Sequence, residues 1–298
     1  LIGPSLPGFL LPNKMFIVLQ YKIASMKSLQ VFLKMRNEVS YLVMLGFVLV
    51  SFGSIAQGPP SNVFARLTMI KVEEGKQQEF ETFVRETIKP LQVLSRQKGK
   101  IVLWIMFKVH FTGQADEYNY VGVSYYPSWA NTNRESLAGL YRELNPNADV
   151  AAFQQKQRDL RTFVHEHLLY QLEALEPSTS TPSKYVRLDY MKVKPGKTED
   201  YLNAEREDWM PLHKVLINDG QSSGWGLWQV IFPGGTSFPY DYVTSNRYTT
   251  YEQVLMGDYE QAFRKASPDK NMNEIFERTT QSRDLVKSEL WEVIEILD

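Results

Sequence analysis

The chain of 298 residues contains no cysteine. A disulfide framework, a thiolate metal site and a cysteine nucleophile are all excluded. Charge of either sign is not in excess: 33 Lys and Arg stand against 34 Asp and Glu. No basic stripe appears, so a nucleic-acid partner is not expected. Histidine is scarce, with His110, His165, His167 and His213 making up the full set. Neither a glycine-rich phosphate loop nor a Gly-x-Ser-x-Gly elbow is present. The uncharged apolar stretch at 41–52 falls short of the ~18–20 residues that a spanning helix needs.

That stretch reads instead as part of a signal peptide. From Met35 the chain runs through Arg36, the apolar stretch, and then Gly53-Ser54-Ile55-Ala56-Gln57. This gives a short basic start, an apolar centre and small residues before a cut after Ala56. Met26 is the other candidate start. Residues 1–34 are expected to be an upstream leader without a role in the fold, and 35–56 the signal peptide. A retained N-terminal anchor is the alternative, disfavoured by length. The expected location is the periplasm or the medium, with no stable membrane anchor after cleavage. Residues 1–56 carry five basic residues and the single acid Glu38, so the remainder has a net charge of −5.

What the sequence does have is a repeat. Residues 64–113 lie over 185–234 without a gap, and 15 of the 50 positions are identical at a constant offset of 121. Arg66-Leu67 matches Arg187-Leu188, Gly75-Lys76 matches Gly196-Lys197, Pro90-Leu91 matches Pro211-Leu212, and Trp104 matches Trp225. A tandem duplication governs every further reading of the fold. The expected units are 62–175 and 185–298. They are joined by a Pro- and Ser-rich linker at 176–184.

Within each unit the pattern predicts strand, helix, strand, strand, helices, strand. The first strands are expected at 66–72 and 187–193. Phe80, Phe83, Val84, Ile88, Leu91 and Leu94 have helical spacing, and Pro90 and Pro211 predict a kink. Second strands are expected at 101–111 and 223–232, with third strands around Tyr118–Val121 and Tyr240–Val243. Helices follow at 133–145 and 149–164, and at 250–266 and 269–284. Arg158-Asp159-Leu160 and Arg283-Asp284-Leu285 mark the last helix of each copy. Strands at 168–175 and 289–297 close the units. The order β-α-β-β-α-β predicts an α+β fold of two tandem ferredoxin-like units.

Alternation along the second strand separates two faces. Ile101, Leu103, Ile105, Phe107, Val109 and Phe111 suit a helix-covered side. Trp104 and Met106, with Trp225 and Leu227 in the second copy, would then face the other unit, because such a row needs cover from water. Packed sheet to sheet, the units resemble the dimeric α+β barrel proteins, which include antibiotic-biosynthesis-type monooxygenases, EthD-like and NIPSNAP-like proteins and chlorite-dismutase-like haem proteins. The resemblance spans about 62–298 and is one of architecture, without a family-specific motif. It implies an intramolecular pseudo-dimeric barrel.

Candidate site residues follow from comparing the copies: residues kept in both are structural or mark two equal sites, and residues polar in only one mark divergence toward a single site. Arg187 and Asp189 share a strand face. With Trp225 and Gln229 they could form a polar anchor beside an aromatic wall; an ordinary strand ion pair is the plainer reading. Trp104 and His110 are the first-copy candidates. His165 and His167 could ligate a metal if both lie on a strand, where the second copy has Val286 and Ser288 nearby. Either His110 or His213 is a candidate haem ligand under the chlorite-dismutase resemblance, although no cofactor is required. The repeated Arg85-Glu86 and Arg206-Glu207 read as solvated helix charges. The tyrosines at 118, 120, 125, 126, 240, 242 and 248 read as strand residues or as a Tyr-lined pocket. The expected function is binding of a small aromatic or apolar ligand in a pocket of the α+β barrel, where the two sheets face each other. A cofactor-independent monooxygenase-like or haem-linked enzyme and a pocketless interaction module are the alternatives, with further oligomerisation open.

Overall fold

A computed structural model describes residues 63–133, 135–176 and 182–297. The expected leader, the signal peptide and linker residues 177–181 lie outside them. Among the described residues no helix is long and apolar enough to cross a membrane.

The first unit contains β1 (Phe64–Lys71), α1 (Gln77–Phe83), a π-helical turn (Val84–Ile88), α2 (Lys89–Gln97), β2 (Leu103–Val109), β3 (Tyr120–Tyr126), α3 (Leu137–Leu144), α4 (Val150–Leu160) and β4 (Thr162–Leu175). The second repeats it as β5 (Tyr185–Val193), α5 (Thr198–Ala204), a π-helical turn (Glu205–Trp209), α6 (Met210–Asn218), β6 (Gly224–Phe232), β7 (Tyr242–Tyr248), α7 (Tyr259–Ala266), α8 (Met272–Ser282) and β8 (Arg283–Ile296). The proline positions carry the π-turns: Pro90 and Pro211 each sit in the first turn of the helix that follows one. A missing N–H there is absorbed by the altered bonding of the turn. The helices expected from 133 and 250 begin later, at Leu137 and Tyr259, where Ser136 and Asp258 cap the backbone N–H groups of Gly139 and Gln261.

The strands form one closed barrel in the order β1-β3-β2-β8-β5-β7-β6-β4. Each unit contributes a ferredoxin-like sheet, and the two are joined at β2–β8 and β4–β6. The chain therefore has the dimeric α+β barrel fold within one polypeptide. Arg85 pairs with Glu295 of β8 at 3.5 Å, and Arg206 pairs with Glu173 of β4 at 2.7 Å. Each ion pair ties the helix of one unit to the closing strand of the other. The repeated arginines are thus inter-unit contacts rather than simply solvated charges.

The expected assignment of strand faces is inverted. Ile105, Phe107 and Val109 fill the barrel interior with Leu67, Leu188, Trp228 and Trp291. Trp104 and Met106 pack under the first unit's helices, and Trp225 and Leu227 under the second's. Phe111, placed by the pattern on the helix-covered face, is 84% exposed. A strand buried on both faces has no polar side, so alternation alone cannot say which face meets which layer.

The match between Arg158-Asp159-Leu160 and Arg283-Asp284-Leu285 is also corrected. The former ends α4, whereas the latter opens β8. Pairing of β1 with β4 and of β5 with β8 sets the true correspondence. Met69 faces His165 and Leu67 faces His167, as Tyr190 faces Lys287 and Leu188 faces Glu289. The counterparts of the histidines are therefore Lys287 and Glu289, not Val286 and Ser288. Glu289 accepts from Tyr118 Oη at 2.6 Å, Tyr190 Oη at 2.8 Å, Lys287 Nζ at 2.8 Å and Trp291 Nε1 at 3.0 Å. In the mirror-related place Tyr240 Oη bonds His167 Nδ1 at 2.6 Å. The same inter-unit contact is made twice with different chemistry.

Candidate functional site

Under the helices the two units differ. In the first, Val84 and Ile88 of the π-turn are buried against Trp104, Met106 and Tyr120 in an apolar core. In the second, a pocket of about 250 Å³ opens at the same level. Its floor is the outer face of β5, β6 and β7, through Arg187, Asp189, Trp225, Thr244 and Asn246. Its roof is helical: Glu205 and Trp209 from the π-turn, His213 from α6, Tyr259 from α7 and Phe276 from α8. At the offset of 121, Glu205 replaces Val84, Trp209 replaces Ile88, His213 replaces Gln92 and Asp189 replaces Thr68.

The polar lining is organised but incomplete. Arg187 Nε donates to Asp189 Oδ1 at 2.9 Å. Asp189 also accepts from Ser288 Oγ and from Asn246 Nδ2, the latter at 3.3 Å. The ordinary strand ion pair is thus real, and it borders the pocket. Arg187 stays 39% exposed, so the pair itself adds little stability. Three buried polar atoms around the pocket have no hydrogen-bond partner among the described residues: Trp225 Nε1, Asn246 Oδ1 and Arg283 Nε. Unpaired buried groups of this kind cost stability, and a ligand group could satisfy them.

Two titratable groups are displaced. Burial raises the Glu205 carboxyl to about 7, against the pull of the Arg283 guanidinium and the Tyr201 hydroxyl. Burial, with the Arg187 guanidinium nearby, lowers the His213 imidazole to about 3. At neutral pH the pocket therefore holds a neutral imidazole and a carboxyl poised between its two states, as acid–base chemistry requires.

Of the residues singled out in the sequence, Arg187, Asp189 and Trp225 line this pocket, which lies under the helices and not, as expected, between the facing sheets. Gln229 does not, because it lies four residues beyond Trp225 on β6, roughly 13 Å along the strand. Trp104 is 3% exposed within the first unit's core. His110 sits past the end of β2, bonded to Glu292 at 2.9 Å. His165 and His167 do share a strand face, with rings stacked 4.7 Å apart. Their nitrogens meet Glu117 and Tyr240, and no group of three or more metal-ligand residues occurs among the described residues. Sequence reasoning missed Glu205, His213 as a pocket residue, and Asn246. The signal was present as Val84/Glu205, an apolar-to-acid change on one helix face.

A haem does not fit here. His213 lies flat on Trp225, and a pocket of about 250 Å³ is smaller than the ~300–1,000 Å³ usual even for drug-sized ligands.

No family model and no curated protein matches the chain. Solved structures match in fold. A provisionally assigned monooxygenase of Lactobacillus acidophilus is 10% identical with a TM-score of 0.49, over 79% of this chain and 96% of that one. A mutant chlorite dismutase of Candidatus Nitrospira defluvii is 8% identical with a TM-score of 0.45, over 78% and 91%. A haem-binding protein of Thermus thermophilus is 8% identical with a TM-score of 0.42, over 81% and 95%. At such identities the likeness extends to the path of the chain and no further.

Proposed function

We propose that this protein binds a small aromatic molecule bearing a hydroxyl group, in the pocket between the helices and the outer sheet face of the second unit. The observation that carries this reading is Glu205. It is a buried carboxyl, 3% exposed, on a turn where the first unit has the buried Val84 in an apolar cluster. Within the chain it meets the Tyr201 hydroxyl and the Arg283 guanidinium, and a ligand in the pocket would be a further partner. Trp225, Trp209, Tyr259 and Phe276 supply flat apolar walls. Asn246 Oδ1 can accept from the ligand, while Trp225 Nε1 and Arg283 Nε can donate to it.

A second reading rests on the same carboxyl. With its pKa raised to about 7 by burial, Glu205 can take the proton of an aromatic hydroxyl and leave an electron-rich anion beside Arg187 and Arg283. An anion of this kind can itself carry reactivity toward oxygen, which needs no bound cofactor.

The test is titration with hydroxynaphthalenes, sized for this pocket, following tryptophan emission. Saturable binding weakened at least tenfold by Asn246→Leu supports the site; binding indifferent to that change sinks it. Oxygen uptake with the bound compounds, lost in Glu205→Gln, would support the enzymatic reading. We also propose export, tested by locating the protein after cell fractionation and sequencing its mature N-terminus for a cut after Ala56.

A further inference from the structure

The units join at two places, β4–β6 and β2–β8, and each junction carries an aromatic cluster. Beside β4–β6, the Phe64 ring lies 4.9 Å from Tyr170 and 5.8 Å from Trp129, and Trp129 lies 6.2 Å from Phe232, centroid to centroid. Beside β2–β8 the cluster is built again. Tyr185 lies 5.6 Å from Tyr251, and His110 lies 6.3 Å from Tyr251 and 6.0 Å from Phe111. Strand pairing gives the correspondence, since Phe64 faces Tyr170 as Tyr185 faces Glu292. Phe111 and Phe232 stand at the offset of 121. The planes of Phe64 and Trp129 meet at 64°, and those of Tyr185 and Tyr251 at 73°, so the edge-on contact is the same in both.

The clusters differ in their charges. The one beside β2–β8 holds its own cation. Lys184 Nζ lies 5.4 Å from the centroid of Tyr185 and 3.2 Å from the Glu292 carboxylate. His110 Nε2 is 2.9 Å from the other oxygen of Glu292. The cluster beside β4–β6 has lost all three groups. At the offset of 121, Val63 replaces Lys184 and Ile231 replaces His110, while Tyr170 takes the register of Glu292. Among the described residues no lysine or arginine lies over Phe64, Trp129, Tyr170 or Phe232. Arg66, two residues along β1 from Phe64, is engaged elsewhere. It pairs with Glu166 at 3.2 Å and lies over the Tyr126 ring.

The uncharged cluster is also open. Trp129 is 55% exposed and Phe232 56%, so neither ring is used up by the core. Their centroids are 6.2 Å apart, which lets one cation come within the ~6 Å reach of both rings. The missing carboxylate decides what kind of cation. A primary ammonium is compact and strongly hydrated, and its N–H groups need acceptors such as Glu292 supplies. A quaternary ammonium has no N–H to satisfy and asks only for aromatic faces.

We propose that Trp129 and Phe232, backed by Phe64 and Tyr170, form a binding site for a trimethylammonium group. The ligand's cation would take the place that Lys184 fills in the mirror-related cluster. The site shares no residue with the outer pocket and takes a different class of ligand, so each stands or falls alone.

The experiment titrates the purified protein into choline and follows the trimethylammonium proton resonance, which ring currents move upfield on binding. The control ligand is 3,3-dimethylbutan-1-ol, which has the same shape with carbon in place of the charged nitrogen. Choline is expected to bind about fivefold or more tightly than this isostere. Trp129→Leu and Phe232→Leu keep apolar bulk and remove one ring, and each should weaken choline about fivefold or more. Tyr251→Ala in the mirror-related cluster, and Glu205→Gln and Asn246→Leu in the outer pocket, should leave choline binding unchanged. Vesicles separate the possible sources of the group. Retention on phosphatidylcholine but not phosphatidylglycerol vesicles, lost in Trp129→Leu, supports the site with a lipid headgroup as ligand; choline binding without retention supports it with a soluble one. Equal binding of the isostere, indifference to both ring variants, loss of choline binding in the outer-pocket variants, or no shift at all would overturn the proposal. A dimer that Trp129→Leu dissociates in sedimentation, without any choline shift, would show that the patch pairs two copies and would overturn it as well.

Discussion

His213 lies flat on Trp225, with ring centroids 5.5 Å apart and planes 17° from parallel. The stack places a neutral imidazole against the indole that floors the outer pocket. Its acid sensitivity follows. Burial and the nearby Arg187 hold the folded-state pKa at about 3, whereas an unfolded histidine titrates at about 6.5. The unfolded chain takes up a proton first, so stability is lost as pH falls from about 6.5 toward 3. His213→Gln, the first copy's residue at this place, is expected to flatten that acid limb in urea unfolding curves. An unchanged limb would show that His213 is not held neutral.

Glu205 acts with the opposite sign. Its folded-state pKa, raised to about 7 by burial, lies above that of an unfolded carboxyl. Between those values the folded state retains the proton, so stability falls as pH rises toward 7 and the penalty persists above it. Glu205→Gln should remove the penalty and stabilise the protein by on the order of 3 kcal/mol at pH 8. The same variant at pH 3, where both states hold the proton, should differ little. Equal effects at the two pH values would mean that the carboxyl is not displaced.

The two equivalent tryptophans should behave differently. Trp104→Phe trims the first unit's apolar core and is expected to lower the thermal midpoint without touching hydroxynaphthalene binding. Trp225→Phe removes the unpaired Nε1 and part of the pocket wall, and should weaken that binding at least tenfold. Matching effects on binding would deny the functional divergence of the copies.

At the barrel's end, Glu289 gathers four donors from Tyr118, Tyr190, Lys287 and Trp291. Burial raises its carboxyl, but the Lys287 charge and the bonds from Lys287, Tyr118 and Tyr190 together hold it below the usual range. Stability from this group is present above the unfolded carboxyl pKa and lost as pH falls through the folded value. Glu289→Gln should cost about 1.5–3 kcal/mol near neutral pH, the usual scale for hydrogen bonds to a charged group. Arg206→Ala, which breaks a partly exposed inter-unit pair, should cost under about 1 kcal/mol. Reversal of that order in denaturant titrations would mean that the surface pairs, not the buried cluster, hold the units together.

The repeat, the order of elements and the need for a second sheet were legible in the residues. Arg66/Arg187, Gly75/Gly196 and Trp104/Trp225 sit at one offset, and alternation marks the strands. Asp189 was identified through its difference from Thr68, and Arg187 and Trp225, kept in both copies, through a shared face and a neighbouring strand. Glu205 escaped because that comparison was applied to strands, while the decisive change sits on a helical turn. The counterparts of His165 and His167 escaped because one inserted residue shifts the later part of the second copy. A slip of one residue exchanges the faces of a strand.

The sequence by itself thus determined that two like units exist and that each must bury two apolar layers, because periodicity and apolar content are local properties. Only the tertiary structure decided which layer faces the barrel and which faces the helices, since β2 is apolar on both sides. It also decided that the second unit's helical layer is open. That opening depends on Glu205, His213 and Asn246 meeting across three separate elements, at a distance along the chain that no local pattern reaches.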